Sequence, residues 1–280
     1  MVPVITLNDK TTIPQLGFGT YLVQPEETAA AVSSALEVGY RHIDTAQMYE
    51  NEAGVGAAVA ASGLPRDELY LTSKLSNAAH RPDDVRRTFG ETLDRLRVDY
   101  LDLFLIHWPL PSRYDGDFVS TWKAMTELVA DGRLRSAGVS NFEPGHLERI
   151  IGETGVAPAV NQIEAHPYFP NTAAREASLA HGIKVEAWGP LAQGAVLHDE
   201  TIAKIAAAHG RAASQVVLRW HIQRGDIIFP KSMRPERMRE NFALFDFVLT
   251  DREMATIDAL DKGAIGRVGP NPGTFDWIPS

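Results

Sequence analysis

Cysteine is absent from this 280-residue chain, which removes disulfides, thiolate nucleophiles and cysteine-held metals from consideration. A reducing compartment fits that absence. Long apolar runs are missing too: no stretch approaches the ~18 consecutive apolar residues of a membrane span. The opening residues, Met1-Val-Pro-Val-Ile-Thr-Leu7, lack a basic segment leading into an apolar one. No signal peptide is therefore expected, and the expected location is the cytoplasm. Positive charge is scarce as well. The formal net charge is −9, which argues against broad contact with nucleic acid or anionic membrane but allows a local basic site. His166, His181, His198 and His209 stand at no metal-ligand spacing, so no metal is expected. Two glycine pairs fall short of a dinucleotide fingerprint. Gly17-Phe-Gly19 has no third glycine, and Gly54-Val-Gly56 lies inside a helix pattern instead of a strand-to-helix turn.

What is present is an ordinary globular composition, 44% hydrophobic, with strand-like and helix-like segments alternating from end to end. Ile5–Leu7 and Thr12–Pro14 flank a turn at Asn8-Asp9-Lys10 and read as a hairpin. Strands are then expected at 15–18, 41–43, 69–72, 100–106, 134–139, 158–160, 183–187 and 227–229. Helices are expected at 26–38, from about 51, and at 83–97, 118–130, 144–151, 172–181, 201–209, 212–224, 235–245 and 251–260. Gly39 reads as a helix stop. Tyr100–Ile106 is almost continuously apolar, as a strand buried on both faces must be. Trp122 and Trp220 fall on helices and read as packing residues. Eight strands, each followed by a helix, fit either an open doubly wound sheet or a closed eight-stranded barrel; the count favours the barrel. No linker or shift of composition divides the chain, so one domain over residues 1–280 is expected.

Each apolar strand runs into polar or aromatic residues: Asp44, Lys74, His107, Ser140-Asn141, Asn161-Gln162, Trp188 and Lys231-Ser232. In a (β/α)₈ barrel these positions converge on one face, where active sites lie. Polar loops alone would account for one or two of them. An acid, a lysine and a histidine on three consecutive strand ends, at βα-unit spacing, point to chemistry. Tyr49 follows Asp44 closely. A phenol near pKa ~10 is a weak acid at neutral pH, and a neighbouring ammonium is expected to lower that value. Lys74 can supply the ammonium, Asp44 can keep it charged, and a neutral His107 can orient a carbonyl oxygen. Together they hold the means to protonate a carbonyl while its carbon is attacked.

Those residues sit in longer segments with a resemblance. Gly39-Tyr-Arg-His-Ile-Asp-Thr-Ala-Gln-Met-Tyr-Glu-Asn-Glu52, Ser73-Lys-Leu75, Leu105-Ile-His-Trp-Pro109, Gly138-Val-Ser-Asn-Phe142, Asn161-Gln-Ile-Glu-Ala-His-Pro-Tyr168 and Pro230-Lys-Ser-Met-Arg-Pro-Glu-Arg-Met-Arg-Glu-Asn241 resemble, in order, the motifs of the aldo-keto reductases. Trp108 and Trp188-Gly-Pro-Leu191 are similar to the bacterial branch of 2,5-diketo-D-gluconate reductase. The resemblance implies a (β/α)₈ TIM barrel with an N-terminal β-hairpin cap and two extra helices. It implies NADPH extended across the C-terminal face, and reduction of a small carbonyl to an alcohol. Tyr49 becomes the general acid, Lys74 and Asp44 its tuning pair, and His107 the substrate orienter beside Tyr21 and Trp108. Ser140, Asn141 and Gln162 meet the carboxamide, and Trp188 stacks on the nicotinamide. Gly19, Thr20, Gly189, Pro190, Leu191 and Ile228 line the cofactor channel.

Three cations in seven residues, Lys231, Arg234 and Arg237, start a helix after the last strand and suit a phosphate. The resemblance makes this the 2′-phosphate and adenine end, with Ser232, Met233, Glu240 and Asn241; Arg267, in the tail, is expected to reach the cofactor or an acidic substrate. Ser76 and Asn77 stand where many relatives have tryptophan, so an open, polar pocket wall is expected there. Small aldehydes, α-dicarbonyls and keto-sugar acids are the expected substrates, and a monomer the expected state. Two other readings stay open: a Schiff-base lyase using Lys74, and a non-catalytic NADPH-binding subunit or sensor.

Overall fold

A computed structural model describes residues 2–279. Strand β1 (Val4–Thr6) pairs antiparallel with β2 (Thr12–Pro14), Ile5 opposite Ile13. Asp9 stabilises the turn by accepting hydrogen bonds from the Thr11 amide and hydroxyl, at 2.9 and 2.7 Å. The hairpin is pinned beneath the barrel by Asn8, whose amide donates to the Pro158 carbonyl. Its Leu7 and Ile13 pack with Tyr70, Leu103, Val160 and Ile227.

Eight parallel strands follow in sequence order around the sheet: β3 (Phe18–Gly19), β4 (His42–Asp44), β5 (Tyr70–Leu75), β6 (Leu101–Ile106), β7 (Leu134–Ser140), β8 (Val160–Glu164), β9 (Lys184–Trp188) and β10 (Ile227–Ile228). The ends meet. Gly17 donates to the Ile228 carbonyl at 2.7 Å, Ile228 donates to that of Gln15 at 3.0 Å, and Leu16 bridges Ile228 in parallel. This closure excludes the open doubly wound sheet. All six residues of β6 are buried, as expected.

Helices α1 (Pro25–Val38), α2 (Glu52–Ala61), α3 (Pro82–Leu96), α4 (Phe118–Ala130), α5 (Pro144–Thr154), α6 (Thr172–Ala180), α7 (Glu200–His209), α8 (Ala213–Arg224), α9 (Pro235–Phe242) and α10 (Asp251–Asp258) complete the order. Gly39 stops α1 with φ +118°, a conformation that costs glycine least. Helices α7 and α10 are the two extra ones. They share an apolar cluster of Ile202, Ile205, Trp220, Leu249 and Ile257 with α8. Trp122 and Trp220 are fully buried; their ring N–H groups donate to the Val156 carbonyl and the Asp258 carboxylate.

Several boundaries differ from the expected ones. The first barrel strand pairs at Phe18–Gly19 instead of 15–18, because Leu16 makes only a single bridge to Ile228. Strands β5, β7, β8 and β9 continue through Lys74, Ser140, Asn161-Gln162 and Trp188. These residues belong to strands, not loops: Lys74, Gln162 and Trp188 point into the barrel, whereas Asn161 points outward and donates to the Phe142 carbonyl and to Ser178 on α6. Asn51 precedes α2 without capping it; its amide donates to the Thr20 and Val23 carbonyls instead.

Candidate active site

The loop after β4 is held rigidly. Asn51 accepts from the Thr45 hydroxyl at 2.7 Å, and Thr20 donates to the Asp44 carbonyl. Gln47 donates to the Thr88 carbonyl and the Thr92 hydroxyl while accepting from the Ser76 amide. A single turn at Gln47–Tyr49 then directs Tyr49 into the barrel mouth. Its ring lies 4.9 Å from Lys74 Nζ, 5.7 Å from the His107 ring and 5.2 Å from that of Tyr21.

Lys74 is fully buried. It donates to Asp44 Oδ1 at 2.6 Å and to the Thr45 carbonyl at 2.8 Å. Burial acts to lower its pKa, but Asp44 and Tyr49 outweigh burial and the net shift is upward. The lysine therefore stays charged. Burial raises the pKa of Asp44, against Lys74 and Gln162, which pull it down. A Schiff-base nucleophile must be neutral, so this pair speaks against the lyase reading.

Tyr49 departs from the expectation. Burial pushes the phenol up to about 12, and Lys74 offsets only part of that rise. The ammonium still favours the phenolate, but the low-dielectric setting opposes charge more strongly. His107 is held well below its usual pKa, first by burial, then by Lys74 and His80. It is a neutral imidazole across the physiological range. Its carbonyl accepts from Asn141, and its Nδ1 has no partner among the described residues.

Across the barrel mouth, Asn141 adopts φ +64°, a left-handed conformation asparagine tolerates. Its amide donates to His107 and Ser140, and its oxygen accepts the Trp188 indole N–H at 2.8 Å. The Ser140 hydroxyl donates to the Gln162 carbonyl. Gln162 Nε2 reaches from β8 to Asp44 Oδ2 on the opposite strand, at 3.0 Å, and to Glu186 Oε2 on β9, at 2.9 Å. Trp188 is half-buried, leaving part of its indole exposed. Gly189 has φ +60°, and Pro190 and Leu191 continue beside it. Gly19 is buried where an added Cβ would lie 2.6 Å from the Phe229 carbonyl oxygen, which explains a glycine there. Ile228 is buried in the strand that closes the barrel.

The basic cluster is exposed. No carboxylate lies within ion-pair distance of Lys231, Arg234 or Arg237 among the described residues. Ser232 accepts from the Arg234 amide, Met233 is exposed and Asn241 buried. Glu240 already accepts from Ser214 on α8. Among the described residues, cations without an ion-pair partner at one end, and a half-buried indole and a Gln162 side-chain oxygen with no protein donor at the other, fit a reduced nicotinamide dinucleotide phosphate. Arg267 lies over the Phe169 ring at 4.6 Å and 3.7 Å from Glu143, at the barrel rim.

The tail changes the pocket wall. Asn77 is buried and donates to the Trp277 carbonyl, and Tyr114 donates to the Asn77 carbonyl. Phe275 packs on Trp108, ring centroids 4.2 Å apart, and Arg113 pairs with Asp276. The open wall expected at Ser76 and Asn77 is thus covered by residues 275–277. Two acids were not foreseen. Glu164 on β8 accepts the backbone amides of Val268 and Gly269 and pairs with His166, fixing the tail. Glu186 lies beneath the site. The signal for both is a carboxylate inside a buried strand, at an even spacing from residues that face inward.

The comparisons with known proteins agree with this geometry. The model of the aldo/keto reductase family matches residues 15–262. The chain belongs to this family. It is 49% identical over 275 residues to an aldo-keto reductase of Mycobacterium sp. (strain KMS), covering 98% of each chain. It is 46% identical to the methylglyoxal reductase DkgA of Yersinia pestis, again covering 98% of each. Among solved structures, a variant of Gox0644 in complex with NADPH superposes with a TM-score of 0.94 at 46% identity, covering 99% of this chain and 100% of that one. An aldo/keto reductase barrel with Asp44, Tyr49, Lys74 and His107 in one cluster leaves nothing in favour of the non-catalytic reading.

Proposed function

We propose that this aldo/keto reductase, acting as a single barrel domain and a cytoplasmic monomer, reduces small aldehydes, α-dicarbonyls or keto-sugar acids to alcohols with NADPH. The observation that carries the reading is the buried Asp44–Lys74 pair beneath Tyr49, with a neutral His107 beside it. The cofactor supplies hydride to the carbonyl carbon when bound. His107 orients the carbonyl oxygen as a hydrogen-bond donor. Tyr49 gives its proton to that oxygen, and Lys74 stabilises the phenolate that remains. Asp44 keeps Lys74 charged through the cycle.

Lys231 and Arg237 serve the 2′-phosphate, and Trp188 stacks on the nicotinamide. Ser140 and Asn141 face its carboxamide together with Gln162. Tyr21, Trp108 and Phe275 supply apolar walls that suit a small substrate. The name of the Yersinia pestis relative, methylglyoxal reductase, supports an α-dicarbonyl as one substrate. The test follows NADPH consumption with a panel of these carbonyls and identifies the products. Alcohol formed in step with NADPH oxidation is expected. No turnover with any member of the panel would overturn the reading.

A further inference from the structure

Glu186 is a titratable side chain of the barrel interior that the proposed reaction does not use. It is fully buried on β9. Among the described residues its side chain makes one hydrogen bond, accepting from Gln162 Nε2 at 2.9 Å, and its Oε1 has no partner. Burial, and the Asp44 charge, push it up to about 8 against the pull of Gln162 and Lys74. A carboxyl kept there against a desolvation cost is poorly explained by packing.

The hydrogen-bond inventory of Gln162 supplies a reason. A primary amide carries two N–H donors and one acceptor oxygen. One donor goes to Asp44 Oδ2 across the barrel and the other to Glu186 Oε2 on the adjacent strand. Asp44, ion-paired to Lys74, can only accept, so the amide nitrogen points toward it, and Glu186 Oε2 accepts the second N–H. The oxygen is left without a protein donor among the described residues. With Glu186 removed, one donor would be free and the amide could swing about its contact to Asp44.

We infer that Glu186, together with Asp44, locks the Gln162 amide so that it offers only an acceptor to the nicotinamide carboxamide, making Glu186 a positioning residue for the cofactor's reactive ring. The inference rests on the NADPH reading above. It predicts that the enzyme selects for the N–H of the carboxamide. The 3-acetylpyridine analogue of NADPH replaces that NH₂ by a methyl group and is the probe.

Titrating both dinucleotides by intrinsic fluorescence should show the wild type binding NADPH about three- to ten-fold more tightly than the analogue, the range for one neutral hydrogen bond. Glu186→Gln, which retains an acceptor, should keep most of this preference. Glu186→Leu should shrink it to under about two-fold, and adding Gln162→Leu to that variant should change the ratio no further. Glu186→Ala gives the same reading if leucine prevents folding. An undiminished preference in Glu186→Leu or Glu186→Ala, or no preference in the wild type, overturns the inference. Either result with carbonyl turnover intact leaves the functional reading standing, whereas absence of turnover with tight NADPH binding sinks that reading alone.

Discussion

At the scale of single residues the chemistry rests on charges held where water cannot screen them. Lys74 and Asp44 satisfy one another at 2.6 Å, both almost fully buried. Lys74→Met would strand the Asp44 carboxylate and is expected to cost about 3–5 kcal/mol in denaturant unfolding. Pairing it with Asp44→Asn should recover much of that loss, since no lone charge is then buried. The pH dependence follows from Tyr49. An acid works only while protonated, and this phenol keeps its proton up to about 12. Reduction limited by the chemical step should therefore stay flat on the alkaline side to about pH 10; a fall centred below about pH 9 would contradict the burial-dominated pKa. The four residues Asp44, Tyr49, Lys74 and His107 are all visible in the sequence as polar groups on neighbouring strand ends. The direction of the Tyr49 shift is not, because charge identity can be read along a chain while desolvation cannot. Glu186 escaped notice for a similar reason. Its role depends on Gln162 lying beside it across the sheet, a pairing set by register.

At the scale of elements, the alternation of strand and helix was legible, and most boundaries fell within a few residues. The errors share a cause. Ser73-Lys74, Asn161-Gln162 and Trp188 read as loop because they are polar or mark the end of an apolar run, yet they complete strands β5, β8 and β9. Lys74 and Gln162 are satisfied inside the barrel mouth, and Ser73 and Asn161 by Glu52 on α2 and Ser178 on α6, so apolar character ends before the strand does. From the sequence, the tail has a single expected contact with the site, through Arg267. Glu164 also clamps the Val268 and Gly269 amides, and an added Cβ on Gly269 would run into Cη2 of Trp188. Gly269→Ala must therefore displace either the tail or the indole. NADPH affinity is expected to fall several-fold, by about 1 kcal/mol, the scale of a lost aromatic stacking contact, with little change in melting midpoint. An unchanged affinity would show that the tail gives way instead.

At the scale of the whole molecule, net charge and cofactor choice act in opposite senses. A chain at −9 repels a polyanion, so the exposed Lys231, Arg234 and Arg237 must provide a local exception. Arg237→Ala should weaken NADPH by roughly ten-fold or more, the loss of one charge-assisted hydrogen bond, and NADH by less. Equal losses would make the cluster an ordinary charged helix face. Global stability should also carry the mark of Glu186. Its folded pKa of about 8 exceeds the ordinary carboxylate value near 4.3, so the folded state binds a proton that the unfolded state has released. The resulting stabilisation is complete below the unfolded value and is lost as pH rises through about 8. His42, pushed down to about 3, and His80, pushed down to about 4, mainly by burial, act oppositely at lower pH. The clean window is therefore about pH 6.5 to 8, where the wild type should lose stability relative to Glu186→Gln, with a slope of at most about 1.4 kcal/mol per pH unit. Parallel pH profiles for the two would exclude it.

The most direct test of the central claim is a single-turnover measurement on Tyr49→Phe. Enzyme saturated with NADPH is mixed with a small α-dicarbonyl, and cofactor oxidation is followed in wild type and variant, with NADPH affinity measured alongside. Loss of the phenolic proton should slow reduction by about 10²–10⁴-fold while leaving NADPH affinity within about two-fold, because the hydroxyl acts on the transition state and not on the cofactor. Reduction by Tyr49→Phe within a few-fold of wild type would contradict the assignment of Tyr49 as the proton donor.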